Sequence, residues 1–179
     1  RPDAGPLGLL GHGEGGLAAC VLAAKDPGVK SVILLAPPST TLDEILLLRA
    51  ERALREQGTR DDALKEMLGQ QRKLFESIKA SKEDYLEIDE RRTFVGWMRE
   101  RFTLDPRVAL AKVSQPALLC VGSKDRELPP AQVESLKLAR TGLDARSFEG
   151  LDHVFAGPEG RVDPAFLKYL AERVPQTVK

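Results

Sequence analysis

The stretch from residue 6 to residue 24 constrains the fold of this chain more than any other. A short apolar run, Leu7–Leu10, leads into five glycine-rich residues, and a run of good helix formers follows as far as Ala24. This order is typical of a buried strand that enters a helix through a tight turn. The rest of the sequence is therefore interpreted outward from this turn.

Two motifs fit the turn, and the first is the nucleophile elbow. Residues 11–15 read Gly-His-Gly-Glu-Gly, which is Gly-x-Ser-x-Gly with glycine at position 13 in place of serine. The elbow predicts an acid after a later strand and a histidine in a loop beyond it. Asp125 follows the buried run 116–122, and His153, one of only two histidines, follows at the required place.

The second motif is the dinucleotide fingerprint Gly-x-Gly-x-x-Gly, which Gly11, Gly13 and Gly16 also match. That fingerprint needs an acidic residue about 20 positions further on, where it holds a ribose hydroxyl. The second apolar run, 31–36, ends in two prolines, and the nearest carboxylate is Asp43. The dinucleotide hypothesis is therefore the weaker of the two.

Three segments together resemble a known family. The elbow, the run Pro-Ala-Leu-Leu-Cys-Val-Gly-Ser-Lys-Asp at 116–125 and Gly-Leu-Asp-His-Val-Phe at 150–155 are similar to the C-terminal part of a bacterial α/β-hydrolase of the serine esterase and aminopeptidase-like kind. The resemblance implies an α/β fold with a mostly parallel sheet flanked by helices. It also implies that N-terminal strands of the sheet are missing, since only five residues precede the elbow region.

The resemblance implies a hydrolase site for a carboxylic ester, an amide or a peptide. Gly13 occupies the nucleophile position, Asp125 and His153 the acid and base positions, and the backbone amide of Glu14 one side of the oxyanion hole. Glycine has no side chain that could attack a carbonyl, so this sequence cannot use the standard acyl-enzyme mechanism. Glycine tolerates the positive φ of an elbow, so the turn itself is expected to be intact.

The segment 41–102 differs in character from the rest of the chain. Apolar residues recur there at three- and four-residue spacing among many charges, which predicts amphipathic helices, the third of them running from about 81 to 101. The resemblance implies a helical cap at 41–102, with the hydrolase core formed by 1–40 and 103–179. Phe94, Trp97 and Met98 are then candidates for the wall of a substrate pocket, although packing within the cap explains the same pattern.

Composition limits the partners. Lys plus Arg and Asp plus Glu number 27 each, so the formal net charge is zero and no basic field favours nucleic acid or a membrane surface. The apolar runs are too short to cross a bilayer, and the two cysteines have no metal-site or redox spacing. We expect no cofactor and a cytoplasmic location.

Three functional hypotheses remain from the sequence. The first is a serine hydrolase of esterase or peptidase type whose present sequence is incomplete or inactivated, because serine is missing at position 13. The second is a non-catalytic hydrolase-like module that uses its cleft for binding, or that pairs with a partner chain or a second copy at an exposed sheet edge. The third is the dinucleotide-binding domain.

Overall fold

A computed structural model of the protein describes residues 5–177. Four strands form a parallel sheet in the order β1-β2-β5-β6, and two more form a separate antiparallel hairpin, β3-β4. The strands in chain order are β1 Leu7–His12, β2 Val29–Leu35, β3 Tyr85–Ile88, β4 Arg91–Phe94, β5 Ala117–Gly122 and β6 Asp144–Phe148.

Helices connect the parallel strands and form most of the segment between β2 and β5. In chain order they are α1 Glu14–Ala23, α2 Leu42–Glu56, α3 Asp61–Ala80, α4 Gly96–Thr103, α5 Pro106–Ala111, α6 Pro130–Ala139 and α7 Pro164–Thr177. The chain divides into two compact units. The first consists of the described parts of Arg1–Ser39 and Pro106–Lys179, and the second is Thr40–Asp105.

The centre of the first unit is the strand pair β2 and β5. All six residues of β5 are buried, as are all residues of β2 except Lys30. Strands that are apolar along their whole length are typical of parallel sheets covered on both faces. The prediction of buried strands at these two runs is confirmed, and with it the prediction of a mostly parallel α/β sheet.

One face of the sheet packs against aromatic residues from the C-terminal part of the chain. Phe155 and Phe166 stack face to face with their ring centroids 4.0 Å apart, and Phe148 meets both rings edge-on. The buried residues of this core cluster are Ile33, Leu35, Ala36, Leu118, Cys120, Leu151, Phe155 and Phe166. The cluster anchors the loop between β6 and α7, which carries His153.

The second unit has its own small core. Phe75, Ile78, Val95 and Phe102 are buried together, and Phe75 and Phe102 have ring centroids 4.8 Å apart. Beside this core Lys79 of α3 forms an ion pair with Asp43 of α2 at 3.0 Å. Burial raises the pKa of Asp43, but hydrogen bonds to Thr41 and Lys79 outweigh it and hold that pKa below its usual value.

The prediction of a third helix from about 81 to 101 is wrong in its first half. Residues 85–94 form the β3-β4 hairpin, and helix starts only at Gly96. Along Tyr85–Ile88 the burial alternates between exposed and half-buried, which is the period-two pattern of a strand. Asp89 and Glu90 both have positive φ, as a two-residue hairpin turn of type I′ requires. Neither residue is glycine or asparagine, so the usual turn signal is absent from the sequence.

Among the described residues, no helix combines the length and the apolar character needed to cross a membrane.

Helix α1 begins directly against the end of β1, and glycine makes this approach possible. A Cβ atom on Gly11 would lie 2.1 Å from the carbonyl oxygen of Gly15, far inside van der Waals contact. A Cβ atom on Gly16 would lie 2.9 Å from Cβ of Pro37, which follows β2. Gly15 itself has open space where its side chain would stand. The spacing of the glycines therefore reflects backbone contact between strand and helix.

We predict opposite effects on stability for two alanine substitutions in this turn. Gly11→Ala forces the Gly15 carbonyl to move and lowers the free energy of unfolding by about 3 kcal/mol or more. The matched control Gly15→Ala meets no atom and lies in α1, so it leaves stability unchanged or raises it by up to about 1 kcal/mol. Urea unfolding of both variants measures the difference, and equal midpoints would contradict the proposed contact.

Candidate active site

The loop after β5 holds Asp125 in a buried position. Asp125 is 6% exposed, and its Oδ1 accepts hydrogen bonds from the backbone amides of Glu127 at 2.7 Å and Leu128 at 3.0 Å. Its own amide donates to the carbonyl of Gly122 at the end of β5. These bonds fix the carboxylate so that Oδ2 remains available for His153.

The loop after β6 places His153 beside this carboxylate. Asp152 shapes the loop, because its Oδ1 accepts hydrogen bonds from the amides of Val154 at 3.0 Å and Ala156 at 2.8 Å. The loop also lies against the end of β5, where a Cβ atom on Gly122 would stand 2.3 Å from the carbonyl oxygen of Leu151. The backbone of the histidine loop and the end of the acid strand therefore touch directly.

A hydrogen bond of 2.9 Å joins His153 Nδ1 to Asp125 Oδ2. The side chain of Asp125 is fully buried, while that of His153 is 28% exposed. Burial alone would raise the pKa of Asp125, but the hydrogen bonds from His153 and from the two loop amides outweigh it. The pKa of Asp125 therefore lies below its usual 3.8, and the group stays ionised beside the imidazole.

Gly13 lies on the other side of His153. A Cβ atom built on Gly13 would stand 3.9 Å from His153 Nε2, and outside the two neighbouring residues that nitrogen is the nearest heavy atom to it. The backbone φ of Gly13 is +53°, and the amide of Gly13 donates to the carbonyl of Leu35 at 2.8 Å. The turn thus has the backbone conformation of an elbow, and a side chain at position 13 would point at the imidazole.

Glu14 is the first residue of α1, where the macrodipole of the helix is positive. Backbone amides at a helix N-terminus point towards the end of the helix, where they can stabilise a negative charge. The first unit therefore brings together the imidazole of His153 beside a buried carboxylate, residue 13 facing that imidazole, and the start of α1. This arrangement can withdraw a proton and support a developing oxyanion.

The other predicted residues belong to the second unit. Phe94 ends β4 and is 48% exposed, Trp97 in α4 is 51% exposed, and Met98 packs against the small core of that unit. Met98 therefore has a packing role, as the sequence pattern also allowed. The assignment of these three residues to a substrate pocket stays a prediction.

Two residues near His153 were not assigned a role in the site from the sequence. Glu127 Oε2 lies 3.9 Å from His153 Nε2, so a second carboxylate approaches the imidazole. His12 Nε2 lies 2.9 Å from the backbone oxygen of His153. The sequence signals that could have found these two residues are an acid two positions after Asp125 and a histidine inside the elbow.

Within residues 5–177, no group of three or more His, Cys, Asp or Glu side chains has a geometry suited to a metal ion.

Comparison with solved structures identifies the fold. An E-2-(acetamidomethylene)succinate hydrolase superimposes with a TM-score of 0.58 at 18% sequence identity, covering 97% of this chain and 68% of the other. A structure from a study of carboxylesterases of Nitrososphaera gargenis gives 0.54 at 17% identity, with 95% and 65% covered. Est1E from Butyrivibrio proteoclasticus gives 0.51 at 17% identity, with 93% and 60% covered.

The chain therefore has the α/β-hydrolase fold, as the sequence predicted. Identities this low support the fold and leave the activity open, because one fold can host many activities. The chain spans about three fifths to two thirds of the length of these three structures. No protein-family model matches the chain, and no curated protein matches its sequence.

We predict that Asp125→Asn lowers stability in a pH-dependent way. The substitution weakens the bond to His153 and lowers the free energy of unfolding by about 1–3 kcal/mol at pH 7. Because the folded-state pKa of Asp125 is depressed, its carboxylate contributes stability above pH 3.8, and this contribution disappears as the pH falls through the folded pKa. The stability difference between the two proteins is therefore largest near neutral pH and shrinks below pH 3.8.

Urea unfolding at several pH values between 7 and 2.5 measures this difference. Asp62→Asn is the matched control, because the side chain of Asp62 is 71% exposed, and we expect little change there at any pH. A difference for Asp125→Asn that stays constant down to the lowest pH would contradict the depressed pKa.

Proposed function

We propose that this chain carries a hydrolase site of the serine esterase and peptidase type, for a carboxylic ester or amide bond, with its nucleophile replaced by Gly13. One observation carries the proposal: the Cβ position of residue 13 faces His153 Nε2 at 3.9 Å while Asp125 holds Nδ1 at 2.9 Å. Nucleophile position, base and acid thus have the relative geometry of a Ser-His-Asp triad.

The roles follow from this geometry. With a serine at position 13, His153 Nε2 accepts the hydroxyl proton as the oxygen attacks the carbonyl carbon. Asp125 keeps the imidazole in the tautomer that has its proton on Nδ1, and it stabilises the charged ring that forms. The amide of Glu14 donates to the oxyanion.

The chain as it stands has only water as a nucleophile. Water attacks the carbonyl carbon while His153 Nε2 accepts one of its protons, and the same proton passes to the leaving oxygen or nitrogen as its bond to carbon breaks. The products are the carboxylic acid and the alcohol or amine. Triad enzymes that lack a triad member retain roughly 10³ to 10⁴-fold catalysis over water from binding and the oxyanion hole, so we expect slow hydrolysis at most.

Esters are the first substrates to test. The similar structures include an E-2-(acetamidomethylene)succinate hydrolase and one from a study of carboxylesterases, and both favour acyl transfer to water in this chain as well. An aminopeptidase-like activity on a peptide is the narrower alternative within the same chemistry. We further propose a cytoplasmic location, because the free and buried Cys20 and Cys120 suit a reducing compartment.

Restoring the serine tests the proposal. We expect Gly13→Ser to raise kcat/KM for p-nitrophenyl acetate on the order of 10³-fold over the parent chain. We also expect a fluorophosphonate probe to add covalently to Ser introduced at this position, measured as an increase in protein mass. The positive φ of residue 13 costs either serine or alanine about 1–2 kcal/mol of stability.

Gly13→Ala is the matched control, because it has the same backbone strain and no hydroxyl, and it should show neither effect. Combining Gly13→Ser with His153→Ala should lower the rate to that of the parent chain or below it, because the parent chain also uses His153 as a base. A folded Gly13→Ser protein with the parent rate and no probe labelling would contradict the hydrolase proposal.

A second candidate function is a non-catalytic interaction module, and the edge of the sheet favours it. In the described part of the chain β1 pairs with β2 alone, and its Leu7 and Leu10 are 50% and 52% exposed. An apolar edge strand with unpaired backbone groups is a template for pairing with another chain. A second copy of this protein could pair its own β1 there in an antiparallel arrangement.

The native mass distinguishes this candidate. Pairing predicts a species of twice the 19.6 kDa chain mass by sedimentation at micromolar concentration, and Leu10→Lys should return it to 19.6 kDa. Leu138→Lys is the control, because Leu138 is 84% exposed and belongs to α6, the helix that connects β5 to β6, and β6 is at the opposite edge of the sheet from β1. A single species of 19.6 kDa for the parent chain would exclude pairing through this edge.

A further inference from the structure

His12 links the elbow to the histidine loop. Its Nε2 lies 2.9 Å from the backbone oxygen of His153, which is 141 positions further along the chain. The two imidazole rings have centroids 4.9 Å apart, and the His12 ring approaches Phe155 edge-on at 6.4 Å. The side chain of His12 therefore contacts His153, whose imidazole faces residue 13.

The acceptor in this contact requires a hydrogen on Nε2 of His12. A carbonyl oxygen can only accept, so Nε2 of His12 must carry the hydrogen and donate it. A neutral His12 with its proton on Nε2 makes this bond, and so does the charged form. A glutamine amide is also a donor and can in principle reach the same oxygen.

The other hydrogen bonds of the histidine loop run in a different direction. The amide of Gly150 donates to Ser123 Oγ at 2.8 Å, and the carbonyl of Leu151 accepts from the amide of Lys124 at 2.9 Å. Both tie the loop to the segment after β5. The bond from His12 ties the same loop to the end of β1, where the nucleophile position stands.

We infer that His12 is a positioning residue that sets the distance between His153 Nε2 and position 13. Asp125 fixes the orientation of the imidazole ring, and His12 fixes the backbone from which the ring projects. Because His12 is covalently joined to residue 13, its bond to the His153 carbonyl holds the base at a defined distance from the nucleophile position. The inference concerns the site of the proposed hydrolase and rests on that proposal for its catalytic meaning.

Two substitutions separate the hydrogen bond from the ring contacts. His12→Phe keeps a ring beside His153 and Phe155 but has no donor. His12→Gln keeps a donor but has no ring. If the hydrogen bond positions His153, the glutamine variant behaves like the parent chain and the phenylalanine variant does not.

The first readout uses the unaltered Gly13 chain and needs no activity. The Nδ1 proton of His153, held between imidazole and carboxylate, should give a low-field NMR resonance in protein labelled with ¹⁵N-histidine. Asp125→Asn, which removes the charged acceptor, assigns this resonance by displacing it. We expect the resonance to broaden through exchange with solvent in His12→Phe and to stay sharp in His12→Gln, where loss of the nearby ring changes only its position.

The second readout uses the Gly13→Ser background. We expect kcat for p-nitrophenyl acetate to fall by about 10-fold or more in His12→Phe, with KM changed by less than about 2-fold, because misplacing a base by a fraction of an ångström slows the chemical step. His12→Gln should recover most of kcat. Circular dichroism confirms in each case that the variant is folded.

Three results would overturn the inference. These are an unchanged His153 resonance in folded His12→Phe, an unchanged kcat in the same variant, or losses in His12→Gln as large as those in His12→Phe. If Gly13→Ser has no activity, the proposed function fails while the NMR comparison still decides whether His12 positions His153. If His12→Phe does not fold, His12→Leu, which also lacks a donor, replaces it: a sharp His153 resonance there contradicts the inference and a broadened one supports it.

Discussion

Contact between backbones at the carboxyl edge of the sheet is the constraint on which the remaining structure depends. Gly11 lets the first turn of α1 touch the end of β1, and Gly122 lets the end of β5 touch the histidine loop. A side chain at either position would overlap backbone atoms at 2.1–2.3 Å, which no rotamer change relieves. Because the backbones meet, residue 13, Asp125 and His153 reach one another although they lie far apart in the chain. The absence of side chains at Gly11 and Gly122 therefore determines the geometry of the site as much as its polar groups do.

Much of the first unit could be predicted from the sequence, because its signals are local and strong. The fully apolar runs predicted the central strands, and the family resemblance carried by the elbow, the acid strand and the histidine loop implied the fold. The hairpin at 85–94 could not be predicted in this way. Its strands have four residues each, and its turn places Asp89 and Glu90 at positive φ, where glycine or asparagine is the usual signal. The apolar residues of this segment have the spacing of a helix, but in the structure they belong to two short strands and a short helix.

The candidate site shows the same division between local and tertiary information. Asp125 and His153 could be selected because motif and chain order point to them, and the structure brings them to 2.9 Å. The approach of Glu127 to the imidazole and the bond from His12 to the loop depend on how two loops cross, which no local pattern encodes. In a single sequence, therefore, the groups that perform chemistry are easier to recognise than the groups that hold them in place.

The buried pair of Asp125 and His153 also has a meaning for the history of the chain. A fully buried carboxylate is expensive to desolvate, and an apolar pair of similar volume is often as stable or more stable. A scaffold with no use for a charged base would gain from losing both groups, and substitutions of this kind are readily available to proteins. Instead, two loop amides hold Asp125, and the loop shaped by Asp152 holds His153. The chain therefore retains a buried charge and the groups that support it beside Gly13, a position without a side chain, at the expense of stability.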